Sequence, residues 1–193
     1  MTLVGVTGAL CAGKSTACAF FRELGARVID ADKIVHRLYK TDGEVGRLVK
    51  KNFGSGVLTK GKVDTVKLGK AAFAGKKNLE KLCRIVHPRV IKIMRKEVKR
   101  SRRPVTVLDA PLLIETGLSE EVDYVVVVSA PAKKRIKRCV GKRHTREDIR
   151  LREARQMCLR DKIRRADFVI YNNSSKQYVK KEAGRIWKTL KRR

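Results

Sequence analysis

The chain has 193 residues, with 48 Lys and Arg against 19 Asp and Glu, a net charge of +29 at neutral pH. Its 42% apolar content is more than a disordered basic tail carries, and the length suits one domain of roughly 100–200 residues with room for a small insertion. No apolar run approaches the ~18–20 residues of a membrane span, and Met1 leads straight into a strand-like stretch without a basic-then-apolar leader. Five cysteines, with no CxxC pair and no His cluster at metal spacing, argue against a zinc site or a disulfide framework and point to a reducing cytoplasm. The charge calls for polyanionic partners: nucleotides, nucleic acid or an anionic surface, with a merely solvated basic face as the bland alternative.

In chain order, Leu3–Val6 reads as a short buried strand that ends at Thr7-Gly8. A helix over Ser15–Leu24 places Ala17, Phe20, Phe21 and Leu24 on one face and stops at Gly25. Val28-Ile29 opens onto Asp30-Ala31-Asp32. Residues from about 36 to 98 read as helical: Glu44–Asn52, Lys67–Phe73, and Leu79–Lys99 with a kink or restart at Pro88, which lacks an amide donor. Strands follow at Val105–Leu108, Val125–Val128 and Phe168–Ile170. Residues 131–161 read as two basic helices broken around Gly141–Thr145. The tail from Lys176 is an amphipathic helix with Val179, Ala183, Ile186, Trp187 and Leu190 inward. Continuous β-branched strands without alternation imply a parallel sheet covered on both faces, where ligands sit beyond the carboxyl ends. Thr7, Asp30, Asp32 and Asp109 all fall there.

Gly8-Ala9-Leu10-Cys11-Ala12-Gly13-Lys14-Ser15 matches G-x-x-x-x-G-K-[ST] between a strand and a helix. Such a loop turns its amides toward phosphate oxygens and adds the positive helix end. Lys14 then reaches the β- and γ-phosphates and the Ser15 hydroxyl is a ligand for Mg²⁺. Cys11 needs no redox role, though its place near a helix N-terminus would lower its thiol pKa. Asp109 ends its strand where an acid would hold Mg²⁺ directly or through water, a buried structural carboxylate being the alternative. The loop implies a nucleoside triphosphate without saying what is done with it. No Asn-Lys-x-Asp guanine reader is present, and a helical insertion plus a basic helical pair suits a kinase with an acceptor subdomain and a lid.

Over nearly its whole length the chain resembles bacterial-type dephospho-CoA kinases. The resemblance rests on Thr7-Gly8 with the loop, Val28-Ile29-Asp30-Ala31-Asp32, His87-Pro88, the block from Val107-Leu108-Asp109-Ala110-Pro111 to Glu115, Gln156-Met157, and Ala166–Ile170 with Asn172. It implies a P-loop kinase-like, five-stranded parallel α/β sheet flanked by helices. The expected division is a nucleotide-binding core (1–35, 99–130, 162–193), a helical acceptor subdomain (36–98) and a helical lid (131–161). The implied reaction moves the ATP γ-phosphoryl group to the ribose 3′-hydroxyl of dephospho-CoA, with Mg²⁺. It implies Asp32 as general base (an N-cap role is the alternative), and catalytic cations at Lys14, Arg138 and either Lys142 or Arg143, with Arg143 preferred for its two-pronged grip on phosphate. ATP contacts fall on Gly8, Cys11, Ala12, Gly13, Lys14, Ser15, Thr16 and Asn172. Acceptor contacts fall on Thr7, Asp32, His87 and Glu115, with structural or ion-pair roles open for the last two. Two departures stand out: Leu10, Cys11 and Ala12 fill a usually glycine-rich loop, and Tyr171 precedes Asn172 where Asp is usual.

Two other readings remain. A different P-loop phosphotransferase would share the loop and differ in acceptor. A basic nucleic-acid binder would draw on the Lys/Arg-dense 132–165 segment, but only 5% of residues are aromatic, which supports weak, salt-sensitive binding at most. A cytoplasmic monomer is the expected state.

Overall fold

The computed structural model describes residues 1–140 and 145–191. Five strands form a parallel sheet in the order β2-β5-β1-β6-β7, as the sequence leads one to expect. They are β1 (Thr2–Gly8), β2 (Arg27–Asp30), β5 (Val105–Asp109), β6 (Tyr124–Ser129) and β7 (Phe168–Tyr171). Register fixes which carboxyl ends meet: Val6 lies beside Asp109, Asp109 beside Asp30, and Val128 beside Gly8 and Ile170.

Two units pack separately, residues 1–30 with 100–193, and residues 31–99. In the sheet unit, one face is Val4, Val6, Val105, Val107, Val126, Val128 and Ile170. It is covered by α1 (Lys14–Glu23) through Ala17, Cys18 and Phe21, and by α9 (Lys176–Leu190) through the five residues foreseen for the tail. Phe21 is fully buried, and its loss would cost about 3–5 kcal/mol. Leu24, expected inward, is 39% exposed, because it caps α1 where the chain turns toward β2. The 131–161 segment holds α6 (Ala132–Val140) and α7 (Arg146–Glu153), followed by the short α8 (Leu159–Arg164), a helix not anticipated.

The second unit comprises α2 (Ala31–Thr41), α3 (Gly43–Phe53), a hairpin of β3 (Leu58–Thr59) and β4 (Lys62–Val63), α4 (Thr65–Phe73) and α5 (Lys76–Lys99). The hairpin has no counterpart in the sequence reading; Lys60 and Gly61, both at positive φ (50° and 74°), make its turn. Asp42 and Asp64 cap α3 and α4 by accepting two backbone N–H bonds each. Of the kink or restart expected at Pro88, there is no restart: α5 is one helix through the proline. Next to the missing donor, Arg89 Nη1 reaches the Ile85 carbonyl at 3.0 Å, and Ile85, Val86, Val90 and Met94 are buried on either side of the proline.

Candidate active site

The loop between β1 and α1 is shaped by its own backbone and by side chains from α6 and from Asn172, just past the end of β7. The Ala12 amide closes a turn on the Ala9 carbonyl at 3.1 Å, and Cys11 sits in the left-handed region at φ 57°. Gly13, at φ 101°, precedes α1 with no side-chain cap, so the first amides of α1 have no acceptor from within the helix. The carbonyls face the other way. Arg135 Nη1 donates to Leu10 O at 3.2 Å, Asn172 Nδ2 to Ala12 O at 2.8 Å, and Arg138 Nη1 to Ala12 O at 3.4 Å. Arg138 Nη2 also donates to the Asn172 backbone and side-chain oxygens at 3.3 and 3.4 Å. A Cβ at Gly13 would collide with the Asn172 amide, and one at Gly8 with the Val128 carbonyl, so this packing needs glycine at both places. Carbonyls claimed from outside leave inward amides and a helix N-terminus: an anion cradle.

Beside it lie the charges. Lys14 Nζ is ion-paired with Asp109 Oδ1, both side chains largely buried. The Cys18 thiol is pushed well above its ordinary pKa, first by burial and then by the Asp109 charge, so it is a neutral packing group. Ser15 stands exposed in the first turn of α1, while the Thr16 amide is spent on the Gly13 carbonyl at 3.0 Å. The Ser15 hydroxyl and the Asp109 carboxylate are hard oxygen donors of the kind Mg²⁺ takes with phosphate and water, so the donor set fits that ion. Among the described residues no cluster of three or more His, Cys, Asp or Glu could hold a metal by itself.

Other candidates are placed differently. Thr7 is fully buried, its hydroxyl donating to Pro111 O at 3.0 Å, and so presents no face to solvent. Glu115 Oε1 accepts the Met157 amide at 2.7 Å and pairs with Lys162 at 2.9 Å, which makes it an anchor for the end of the 131–161 segment. In the helical unit, Asp32 is exposed in the first turn of α2, one residue inside the helix start and so not at the capping position. His87 is half-buried on α5. Lys142 and Arg143 lie outside the described residues.

One feature overturns the cysteine expectation. Cys11 and Cys139 form a disulfide, Cα atoms 5.7 Å apart and 128 residues apart in sequence. Sequence spacing held no signal for it, since only the docking of α6 on the loop brings the two together. Arg135 and Lys162 were also missed. Both stand among many basic residues, and nothing local marks the few that turn inward.

The family model for dephospho-CoA kinase matches residues 2–177. A dephospho-CoA kinase of Aquifex aeolicus is 36% identical over 100% of this chain and 99% of its own length. One of Geobacillus kaustophilus is 38% identical over 94% of each. Among solved structures, TT1252 from Thermus thermophilus superposes with a TM-score of 0.83 at 28% identity, covering 97% of this chain and 96% of that one. A shikimate kinase from Bacteroides thetaiotaomicron shares the fold, with a TM-score of 0.55 at 18% identity over 98% of each chain. A phosphate-binding loop between β1 and α1, acids at the ends of β2 and β5, and this match over nearly the full length together place the chain in the dephospho-CoA kinase family.

Proposed function

We propose that the protein transfers the γ-phosphoryl group of ATP to the ribose 3′-hydroxyl of dephospho-CoA, giving CoA and ADP, the last step of CoA synthesis. The observation that carries this reading is the Gly8–Ser15 cradle with Lys14 paired to Asp109 at the carboxyl edge of the sheet, in a chain of this family. Lys14 leaves Asp109 for the β- and γ-phosphate oxygens, and the loop amides hold the remaining phosphate charge. Arg138, already at the rim of the loop, takes an oxygen of the moving phosphoryl group, and Arg143 is assigned as the second cation. Asp32 accepts the hydroxyl proton as the acceptor oxygen bonds to phosphorus. The bond from phosphorus to the β–γ bridging oxygen breaks, and ADP leaves with that electron pair. His87 is assigned to the acceptor pocket with Asp32. Mg²⁺, held by Ser15 and Asp109, supplies charge neutralisation at the phosphates when bound.

The test is a coupled assay of ADP release with Mg-ATP and, in turn, dephospho-CoA, shikimate, AMP and CMP. Turnover on dephospho-CoA is expected; turnover on another acceptor with none on dephospho-CoA would sink the reading. Asp32→Asn is expected to lower kcat on the order of 100-fold or more with ATP affinity retained, and normal turnover would remove the general-base role. We assign the charge left over from the site to a solvated surface on a cytoplasmic monomer, with nucleic-acid binding that falls steeply as salt rises. Salt-resistant, sequence-selective binding would contradict that. Among the described residues no helix is long and apolar enough to cross a membrane.

A further inference from the structure

Among the described residues, the reaction scheme leaves a fully buried cation, Lys162, without a task. The Lys162 side chain, on α8, is 0% exposed. Its ammonium donates to Pro111 O at 2.8 Å, to Glu115 Oε1 at 2.9 Å and to Thr7 Oγ1 at 3.4 Å. An ammonium has three protons, so these bonds use all of them. The Thr7 hydroxyl spends its own proton on Pro111 O at 3.0 Å, which leaves its lone pairs for Lys162. Burial, and secondarily the nearby charge of Lys14, pull the Lys162 pKa below the ordinary lysine value, against the opposite pull of Glu115. A hydrophobic side chain would fill this space without the desolvation cost, so packing alone does not account for a lysine here.

The partners explain it better. Thr7 is the residue before Gly8, where the phosphate loop leaves β1. Pro111 lies two residues past Asp109, on the exit of β5. Glu115 holds the Met157 amide, just before α8 at the end of the 131–161 segment. We propose that Lys162 is a positioning residue for phosphoryl transfer, one ammonium that sets the β1 exit against the β5 exit and fastens the end of that segment to both. The proposal rests on the kinase reading above. It predicts a split between binding and turnover, because the contacts that shape the loop from the other side, from Asn172, Arg135 and Arg138, do not involve Lys162.

The test compares wild type with Lys162→Met, which keeps the stem, and Lys162→Gln, which keeps a shorter donor. Melting temperature, ADP affinity by calorimetry, kcat and the KM for dephospho-CoA are read for each. Lys162→Met is expected to lower kcat on the order of 100-fold while ADP affinity stays within about threefold, with partial recovery of kcat in Lys162→Gln. A folded Lys162→Met with wild-type kcat overturns the proposal. So does a kcat loss matched by an equal loss of ADP affinity. Failure of both variants to fold overturns it too, since the lysine then serves the fold alone. Absence of dephospho-CoA turnover in the wild type would instead overturn the kinase reading, which separates the two.

Discussion

The phosphate loop is held from two flanks by different chemistry. On the β6–β7 side, Asn172, Arg135 and Arg138 cap the Leu10 and Ala12 carbonyls and a disulfide joins Cys11 to α6. On the β5 side, Lys14, Asp109, Lys162 and Glu115 form buried or half-buried ion pairs. The first flank orients peptide groups through side-chain donors, two of them arginines. The second is built of lysine–carboxylate pairs beside the ends of β1 and β5. A buried charge pair is strong but intolerant of losing a partner.

The largest expected effect lies on the charged flank. Lys14→Ala should lower kcat/KM on the order of 1,000-fold in the coupled assay, because it removes the cation proposed to pass from Asp109 to the transferring phosphoryl group. A loss below about tenfold would break the distinction between the flanks. On the shaping flank, Asn172→Ala leaves the Ala12 carbonyl short of its main donor, a loss of about 1–3 kcal/mol. It should weaken ADP binding by roughly tenfold in calorimetry while kcat changes little. If kcat falls more than affinity, the two flanks share one role.

The disulfide gives a milder test. Cys139→Ala should reduce stability by about 2–4 kcal/mol, seen as a melting temperature lower by roughly 5–15 °C, and dithiol treatment of the wild type should act likewise. Cys11→Gly removes the same bond but also relieves a non-glycine residue from φ 57°, so its loss should be smaller by about 1 kcal/mol. Equal losses would mean the loop conformation carries no such cost. The smallest effect is a pH dependence confined to the charged flank. The folded Lys162 pKa lies below the ordinary 10.5. Between the two values the unfolded chain binds the extra proton, so stability rises as pH climbs through that window. In urea titrations at several pH values, Lys162→Met should lack this rise. A variant that keeps it would place the titration elsewhere.

Much of this was legible from residues alone. The spacing from Gly8 to Ser15, the strand before it and the helix after it are local patterns, and they were read correctly. The five parallel strands followed from β-branched runs, and the inward stripe of α9 from its helical period. What escaped depends on neighbours remote in sequence. Pro88 suggested a kink or a restart because the missing donor is a local fact, while the buried residues on both sides of it, along which α5 continues without a restart, are not. Thr7 looked ready for substrate, yet its hydroxyl is turned inward onto Pro111 and Lys162. Cys11 looked like a lone thiol because its partner is 128 residues away.

By itself, then, the sequence determined the sheet, the anion cradle and the sign of its ligand, since strand runs, glycine positions and the lysine that follows are short-range and chemically demanding. Among 48 basic residues the sequence singled out Lys14 and, through the family resemblance, Arg138; only the tertiary structure brought forward Arg135 and Lys162. A surface lysine and a buried one are the same letter, and burial is a property of packing. Once Lys162 is shut away with Glu115, Pro111 and Thr7, or Arg135 and Arg138 are laid across loop carbonyls, low solvent exposure turns ordinary charge into positional control.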